Sequence, residues 1–170
     1  MNLLKFHNKI KGYTQNRQPG IEADMEPKPI AELEEYKAAG KLENKVALIT
    51  GGDSGIGRAI AILYAKEGAN VAIGYYDEHQ DAEDTVNRLQ EMGVKAKAYA
   101  HDLKDEKQSQ KLIKDVINDF GSLNILVNNG GVQFPRDHFE DITPQQVKET
   151  FMTNIFGMMF LSQAAVPYLS

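Results

Sequence analysis

The chain has 170 residues, a formal net charge of −5 and no cysteine. The lack of cysteine excludes disulfide bonds, a thiol nucleophile and thiolate metal sites. The mild acidity argues against nucleic acid as a partner, because non-specific binding requires a concentrated basic surface. No apolar run reaches the roughly 18 residues of a membrane-spanning helix, and the first residues lack the pattern of a signal peptide. We therefore expect a cytoplasmic globular protein with neither nucleic acid nor a membrane as its partner.

Residues 1–44 differ in composition from the rest of the chain. They contain three of the six prolines, and their seven basic residues balance seven acidic ones. Because they hold no strand-like apolar run, we predict an extended arm that wraps a neighbour or stays mobile. The only regular element that their pattern permits is a short helix around residues 31–39. Residues 45–170 form the second predicted unit.

In the second unit, short apolar runs alternate with helical patterns. This order predicts a parallel sheet with helices on both of its faces. Ligands of such sheets bind beyond the carboxyl ends of the strands, where this chain places its glycines and asparagines. Strands are predicted at 46–50, 70–75, 94–100 and 123–127, and helices at 57–67, at 79–92, before Gly121, and from a capping box at Thr143 towards Leu169.

The segment TGGDSGIG (50–57) joins the first strand to the first helix. Gly51 permits a tight turn, while Gly55 and Gly57 remove side chains where a pyrophosphate approaches the backbone and the helix packs on the strand. The amino end of the helix offers unpaired N–H groups and a positive dipole end to that phosphate. A glycine-rich turn without a ligand is the alternative, but the flanking strand and helix favour a nucleotide.

The sequence resembles the short-chain dehydrogenase/reductase family over about residues 45–170. TGGDSGIG is similar to the family's T-G-x-x-x-G-x-G loop, and Asp102-Leu103 is similar to the pair that meets the adenine ring. NNGG (128–131) resembles N-N-A-G, with glycine in the place of alanine, and Asn154 resembles the family's helical catalytic asparagine. In the family, the first asparagine of N-N-A-G is partly structural and bonds across to a neighbouring strand.

The resemblance implies a Rossmann-type, doubly wound α/β fold, of which this chain holds the part with strand order 3-2-1-4. It also implies hydride transfer between NAD or NADP and a carbonyl or alcohol substrate, in a protein that forms a homo-oligomer when full-length. Asn154 is the implied catalytic residue. The implied cofactor-binding residues are Gly51, Asp53, Ser54, Gly55, Ile56, Gly57, Tyr76, Asp77, Asp102, Leu103, Asn129, Gly130 and Gly131.

The choice between NAD and NADP depends on the end of the second strand. An acidic residue there bonds the ribose 2′-OH and repels a 2′-phosphate. Tyr75 stands where the family's NAD-selective acid usually stands, and Asp77 follows two residues later. Because no Lys or Arg occurs at Ser54 or at 75–77, the sequence favours NAD.

The family's chemistry also requires a Ser and a Tyr-x-x-x-Lys pair. No tyrosine of this chain is followed by a lysine four residues later. We therefore expect a truncated form that is inactive by itself, with an unpaired apolar edge at the fourth strand and an apolar final helix that drives association.

Two other functions compete with an oxidoreductase. A non-catalytic nucleotide-binding or interaction module stays open, whereas a methyltransferase is disfavoured because NNGG and Asp102-Leu103 have no role there. His79, His101 and His138 lack metal-ligand spacing, so we predict surface positions for them and no metal site.

Overall fold

The computed structural model describes residue 15 and residues 20–33 and 35–169. None of the described helices is long and apolar enough to cross a membrane. The strands are β1 (Val46–Thr50), β2 (Asn70–Tyr75), β3 (Ala96–Ala100) and β4 (Ile125–Val127), and the helices are α1 (Gly55–Lys66), α2 (His79–Glu91), α3 (Glu106–Phe120), α4 (Pro144–Phe151) and α5 (Met158–Ala165).

The four strands form one parallel sheet in the order β3-β2-β1-β4, which confirms the predicted α/β fold and strand order. Leu48 of β1 pairs with Ala72 of β2 on one side and with Leu126 of β4 on the other. Every residue of β1 is buried, because this strand has a neighbour on each side and helices on both faces.

A separate apolar core lies on each face of the sheet. One core includes Ile49 and Ile73 with the apolar residues of α1 and α2. The other includes Leu48 and Leu112 with the apolar residues of α3 and α5. The two faces of the sheet are therefore covered by different pairs of helices, as in a doubly wound fold.

Two helix ends follow the predicted sequence signals. The Asp105 side chain accepts hydrogen bonds from the backbone N–H groups of Lys107 and Gln108 and begins α3, which ends at Gly121 with a φ of 83°. Thr143 and Gln146 form the predicted capping box at the start of α4. Each end satisfies backbone groups that a helix cannot pair internally.

The final helix is not continuous, which the sequence pattern did not predict. A π-helical segment, Met152–Gly157, separates α4 from α5, and a 3₁₀ turn, Val166–Tyr168, follows. Gly157 packs so closely on the Leu103 carbonyl that a Cβ atom would lie 2.7 Å from its oxygen. A π-helix has a wider turn than an α-helix. Contacts such as that of Gly157 depend on the tertiary structure, so the apolar spacing of the sequence did not predict the π-helical segment.

Two predicted strands begin later in the structure than in the sequence pattern. The third strand begins at Ala96 instead of residue 94, and the fourth begins at Ile125 instead of residue 123. Leu123 instead forms an isolated parallel bridge with Leu169, and the Asn124 side chain accepts the Val46 N–H at 2.9 Å. The Asn124 N–H donates to the Val46 carbonyl at 2.9 Å, so one backbone bond and one side-chain bond join the two segments at this position.

The described part of the arm forms no helix at residues 31–33 and 35–39, where the sequence pattern permits one. Groups of the arm contact the chain's own domain, since Glu32 bonds Arg88 and the Lys41 N–H donates to Glu67. Glu67, after α1, accepts the backbone N–H groups of Ala39 at 3.1 Å and Lys41 at 2.9 Å and also bonds the Tyr36 hydroxyl. These bonds to α1 satisfy groups that a local helix would otherwise use. Apart from Gln15, the arm before Gly20 lies outside the described residues.

Candidate functional site

A cleft of about 460 Å³ opens beyond the carboxyl ends of the four strands. It is the position at which parallel α/β sheets bind ligands. The structure places every predicted cofactor-binding residue except Gly57 on its wall. These residues are Gly51, Asp53, Ser54, Gly55, Ile56, Tyr76, Asp77, Asp102, Leu103, Asn129, Gly130 and Gly131.

The glycine-rich loop uses its glycines for different purposes. Gly51 and Gly55 have φ values of 60° and 53°, which favour glycine. A Cβ atom on Gly57 would lie 1.8 Å from the Gly51 carbonyl oxygen, so the lack of a side chain at Gly57 lets the two ends of the loop pack against each other. Gly57 does not line the cleft. At Gly55, by contrast, a Cβ atom would meet no described atom within 4 Å. Of the three, Gly55 is therefore the glycine that leaves space for a ligand.

Thr50 connects this loop to the NNGG segment that follows β4. Its buried hydroxyl oxygen accepts the backbone N–H of Asn129 at 3.1 Å and of Gly130 at 2.9 Å. The Asn129 side chain donates to the carbonyl oxygens of Thr50 at 2.9 Å and Gly51 at 3.1 Å. The two strand ends are thus joined at the cleft. The sequence analysis did not single out Thr50, although a polar residue that ends an apolar strand is a usable signal.

Among the described residues, the Asn128 side chain makes no hydrogen bond to a neighbouring strand. Its side-chain amide donates to the Ser162 hydroxyl of α5 at 2.9 Å, so it connects the end of β4 to a helix. The bond to the neighbouring strand is made by Asn129 instead. The alternation of side chains along an extended segment explains this, because adjacent residues point in opposite directions.

Asn154 lies in the π-helical segment, beside the cleft wall but outside it. Its Oδ1 accepts the Val132 N–H at 2.8 Å, and its Nδ2 donates to the Val132 carbonyl at 2.7 Å. Asn154 therefore holds the loop after β4 through both of its polar atoms. In this geometry its side chain is a positioning group for Gly131 and Val132, and the catalytic assignment stays a prediction.

Asp102 and Leu103 follow β3 and line the cleft. The Asp102 carboxylate accepts the Lys104 N–H at 2.9 Å and lies 3.7 Å from the Lys104 ammonium nitrogen. Leu103 is buried, and its side chain limits the space at Gly130, where a Cβ atom would lie 3.0 Å from it. The pair thus forms a turn after β3 whose shape is fixed by a side-chain bond and by packing.

The prediction that His101 is a surface residue is wrong. Its side chain lines the cleft and is only 7% exposed, because Gly74 of β2 leaves room for the ring: a Cβ atom on Gly74 would lie 2.6 Å from the ring Cε1. Burial lowers the pKa of the imidazole. Neither ring nitrogen makes a hydrogen bond to another described residue. Only the structure brings His101 opposite a glycine, so the sequence held no signal for its burial.

Acidic groups prevail around the cleft. Asp53 is 6% exposed, and burial raises the pKa of its carboxyl, with the charges of Asp81 and Glu22 adding to the effect. Tyr76 and Asp77, which follow β2, also line the cleft, and Lys104 is the only Lys or Arg among the described residues that line it. Within the described ranges, no group of three or more His, Asp or Glu side chains is arranged to hold a metal ion.

Comparison with known proteins adds independent evidence. The model of the short chain dehydrogenase family matches residues 45–170. General stress protein 39 of Bacillus subtilis (strain 168) is 47% identical over 167 residues, which are 98% of this chain and 58% of that protein. The chain thus spans little more than half the length of this curated relative.

Solved structures share the fold. A short chain dehydrogenase from Burkholderia cenocepacia J2315 in complex with NADP aligns with a TM-score of 0.73 and 36% identity, covering 76% of this chain and 53% of that one. An NAD⁺-bound xylitol dehydrogenase aligns with a TM-score of 0.72 and 27% identity, covering 75% and 49%. The order of the strands, the loops that surround the cleft and the match over residues 45–170 lead to one conclusion: the chain belongs to the short chain dehydrogenase family.

Proposed function

We propose that this chain forms the dinucleotide-binding part of an NAD(P)-dependent oxidoreductase that acts on a small carbonyl or alcohol substrate. The observation that carries the proposal is the convergence of three chain segments on one cleft: the loop after β1, the turn after β3 and the NNGG segment after β4. These segments are far apart in sequence, and the parallel sheet brings them together at the edge where such folds bind ligands.

The residues present fit a dinucleotide. The open space at Gly55 and the first turn of α1 suit the pyrophosphate, since the first N–H groups of a helix have no partner within it; the Gly55 N–H is bonded by the Glu22 carboxylate of the arm. The residues after β2 and the turn at Asp102 suit the adenosine half. When bound, the nicotinamide supplies hydride transfer. The chain's own contribution is to hold Gly51 and Val132 in place through Asn129 and Asn154.

Within this function we propose a preference for NAD. Among the residues that follow β2 on the cleft wall, Tyr76 and Asp77 offer no positive charge for a 2′-phosphate. The two solved structures hold NADP and NAD⁺ respectively, so they support a nicotinamide cofactor for the family without deciding between the two for this chain.

The chain itself is proposed to bind the dinucleotide without turnover. Its sequence holds no Tyr-x-x-x-Lys pair to exchange the proton that accompanies hydride transfer. Asn154 cannot replace this pair, because its amide is neutral and both of its polar atoms bond Val132. A non-catalytic nucleotide-binding module would also bind the dinucleotide without turnover. The cytoplasmic location stays a prediction from the sequence.

We also propose that the full-length protein forms a homo-oligomer through the last helices. Large apolar side chains are exposed at helical spacing on this surface, with Phe151 at 53%, Ile155 at 48% and Met159 at 60% exposure. We call these three residues the apolar stripe. Stripes of this kind mark surfaces that associate with a partner.

The decisive test compares two glycines that both have a positive φ, 53° at Gly55 and 87° at Gly93. Gly55→Asn and Gly93→Asn both place a side chain at a left-handed position with open space, but only Gly55 lines the cleft. We expect Gly55→Asn to weaken NAD⁺ binding at least about tenfold in a calorimetric titration, because its side chain fills the space of the pyrophosphate. Gly93→Asn is the matched control and should bind like the wild type.

Two outcomes would contradict the proposal. Equal NAD⁺ affinity in both variants would remove the assigned role of the loop, and absence of binding to the wild type would remove the function. Gly57→Val is a poor test, because its side chain would collide with the Gly51 carbonyl and break the loop whether or not a ligand binds. Absorbance of the reduced cofactor, followed with aldehydes, ketones and alcohols, should show no turnover by this chain.

A further inference from the structure

The amino end of α1 is capped by a residue of the distant arm. Glu22 lies in a short 3₁₀ turn, Glu22–Asp24, and its Oε2 accepts the Gly55 N–H at 2.5 Å. Ser54, the local capping residue, makes no side-chain bond of this kind. Glu22 does not line the cleft itself, but Gly55 does. The arm thus holds the first N–H group of α1 at the residue whose open space suits a pyrophosphate.

Both oxygens of this carboxylate are bonded to α1. While Oε2 accepts the Gly55 N–H, Oε1 accepts a hydrogen bond from Arg58 Nη1 at 3.2 Å. The Glu22 side chain is 12% exposed, so solvent screens its charge less than that of a surface carboxylate. A negative charge is favourable at the positive end of a helix dipole. A phosphate at the same end of α1 would therefore meet an occupied N–H group and a charge of its own sign.

The arm is also attached at the opposite end of α1. Lys66, the last residue of the helix, pairs with Glu32 of the arm at 2.9 Å. Glu67, the next residue, accepts two backbone N–H groups of the arm. Because these contacts do not involve Glu22, its release from Gly55 does not require the arm to leave the domain. The bond between Glu22 and Gly55 is thus a separate contact at the end of α1 that faces the cleft.

Building on the proposed function, we infer that Glu22 is an autoinhibitory contact of the dinucleotide site. It occupies the Gly55 N–H and neutralises part of the positive end of α1, the two features that a pyrophosphate uses at a helix amino end. Binding of the pyrophosphate displaces Glu22 from this N–H. NAD⁺ and NADP⁺ carry the same pyrophosphate, so the contact lowers the affinity for both by the same factor.

Calorimetric titrations of the whole chain with NAD⁺, NADP⁺ and adenosine test the inference. We expect Glu22→Gln to raise the affinity for both dinucleotides about tenfold, since a neutral amide competes for the N–H less strongly than a carboxylate. Glu22→Ala removes the acceptor and should raise the affinity at least as much. Adenosine has no phosphate, so both variants should bind it like the wild type. Glu26→Gln removes the same charge from an exposed position of the arm and is the matched control.

A purely stabilising cap would give a different result. Its loss would lower the urea midpoint and leave the dinucleotide affinity unchanged or reduced. Unchanged or weaker NAD⁺ binding in the Glu22 variants, or an equal gain in Glu26→Gln, would therefore overturn the inference and leave the proposed function intact. A gain for adenosine, or for only one dinucleotide, would also overturn it, because the effect would not concern the shared pyrophosphate. If neither the wild type nor the variants bind a dinucleotide, the proposed function fails as well. Either Glu22 variant that folds decides the question.

Discussion

The two edges of the sheet are built from different residues. At one edge, β3 alternates small apolar residues with Lys97 and Tyr99, which both bond Asp119 at 2.6 Å. At the other edge, β4 is Ile-Leu-Val, half-buried and without a charged residue. A lysine on an edge strand discourages pairing with a further strand, whereas an uncharged apolar edge does not. The β3 edge thus has the composition of a natural boundary, and the β4 edge has that of an interior strand.

This difference extends to the helices beside each edge. The apolar stripe lies on the last helices, which follow β4 in the chain, and Ser162 of α5 accepts a hydrogen bond from Asn128 at the end of β4. The chain spans about half the length of its relatives, and β4 has no further strand neighbour among the described residues. The apolar composition of a segment therefore predicts a strand or a helix, whereas the burial of that strand or helix depends on which other elements pack against it.

The largest expected effect compares leucines that lie side by side. Leu48 of β1 and Leu126 of β4 are register partners, but Leu48 is fully buried and Leu126 only partly. We expect Leu48→Ala to lower the free energy of unfolding by about 2–5 kcal/mol, because it leaves a cavity in the core. Leu126→Ala should cost about 1–2 kcal/mol, as half-exposed surface contributes less. Urea denaturation measures both, and equal losses would contradict the proposed contrast between centre and edge.

A smaller effect is expected from a charge in the apolar stripe. Met159→Lys places a charge where the side chain is 60% exposed, so it should leave the stability within about 0.5 kcal/mol of the wild type. Sedimentation velocity should show weaker self-association, because a lysine opposes burial of the surface in an interface. Leu63→Lys, at a 40% exposed position of α1, is the control. If both variants weaken association equally, the stripe has no special role.

The smallest effect concerns the β3 edge and its pH dependence. The hydrogen bonds and charge of Lys97 and the Tyr99 hydroxyl hold the pKa of Asp119 below its ordinary value of 3.8. Because the folded state binds this proton less readily than the unfolded state, the group stabilises the fold above pH 3.8 and loses that contribution as the pH falls below it. The difference in urea midpoint between wild type and Asp119→Asn should therefore shrink between pH 5 and about pH 3. A difference that is constant over this range would contradict the assignment.

Much of the fold followed from local pattern. Short apolar runs between glycines predicted all four strands, and the capping box at Thr143 and the stop at Gly121 predicted two helix ends. These signals are local because a strand or a helix end depends on residues within a few positions of each other. The residues that line the cleft were predictable for the same reason: parallel strands bring the segments after their carboxyl ends together.

What the tertiary structure decided involves groups that are distant in sequence. Glu22 meets Gly55, Gly74 admits the ring of His101, and Gly157 approaches the Leu103 carbonyl only once the chain has folded. Residues 31–33 and 35–39 form no helix, and the Glu67 carboxylate accepts the N–H groups of Ala39 and Lys41 from 28 and 26 residues away. A sequence specifies short-range preferences directly, whereas a contact between distant segments depends on the packing of all the elements between them, and so the arm's place on α1 was settled only in the folded molecule.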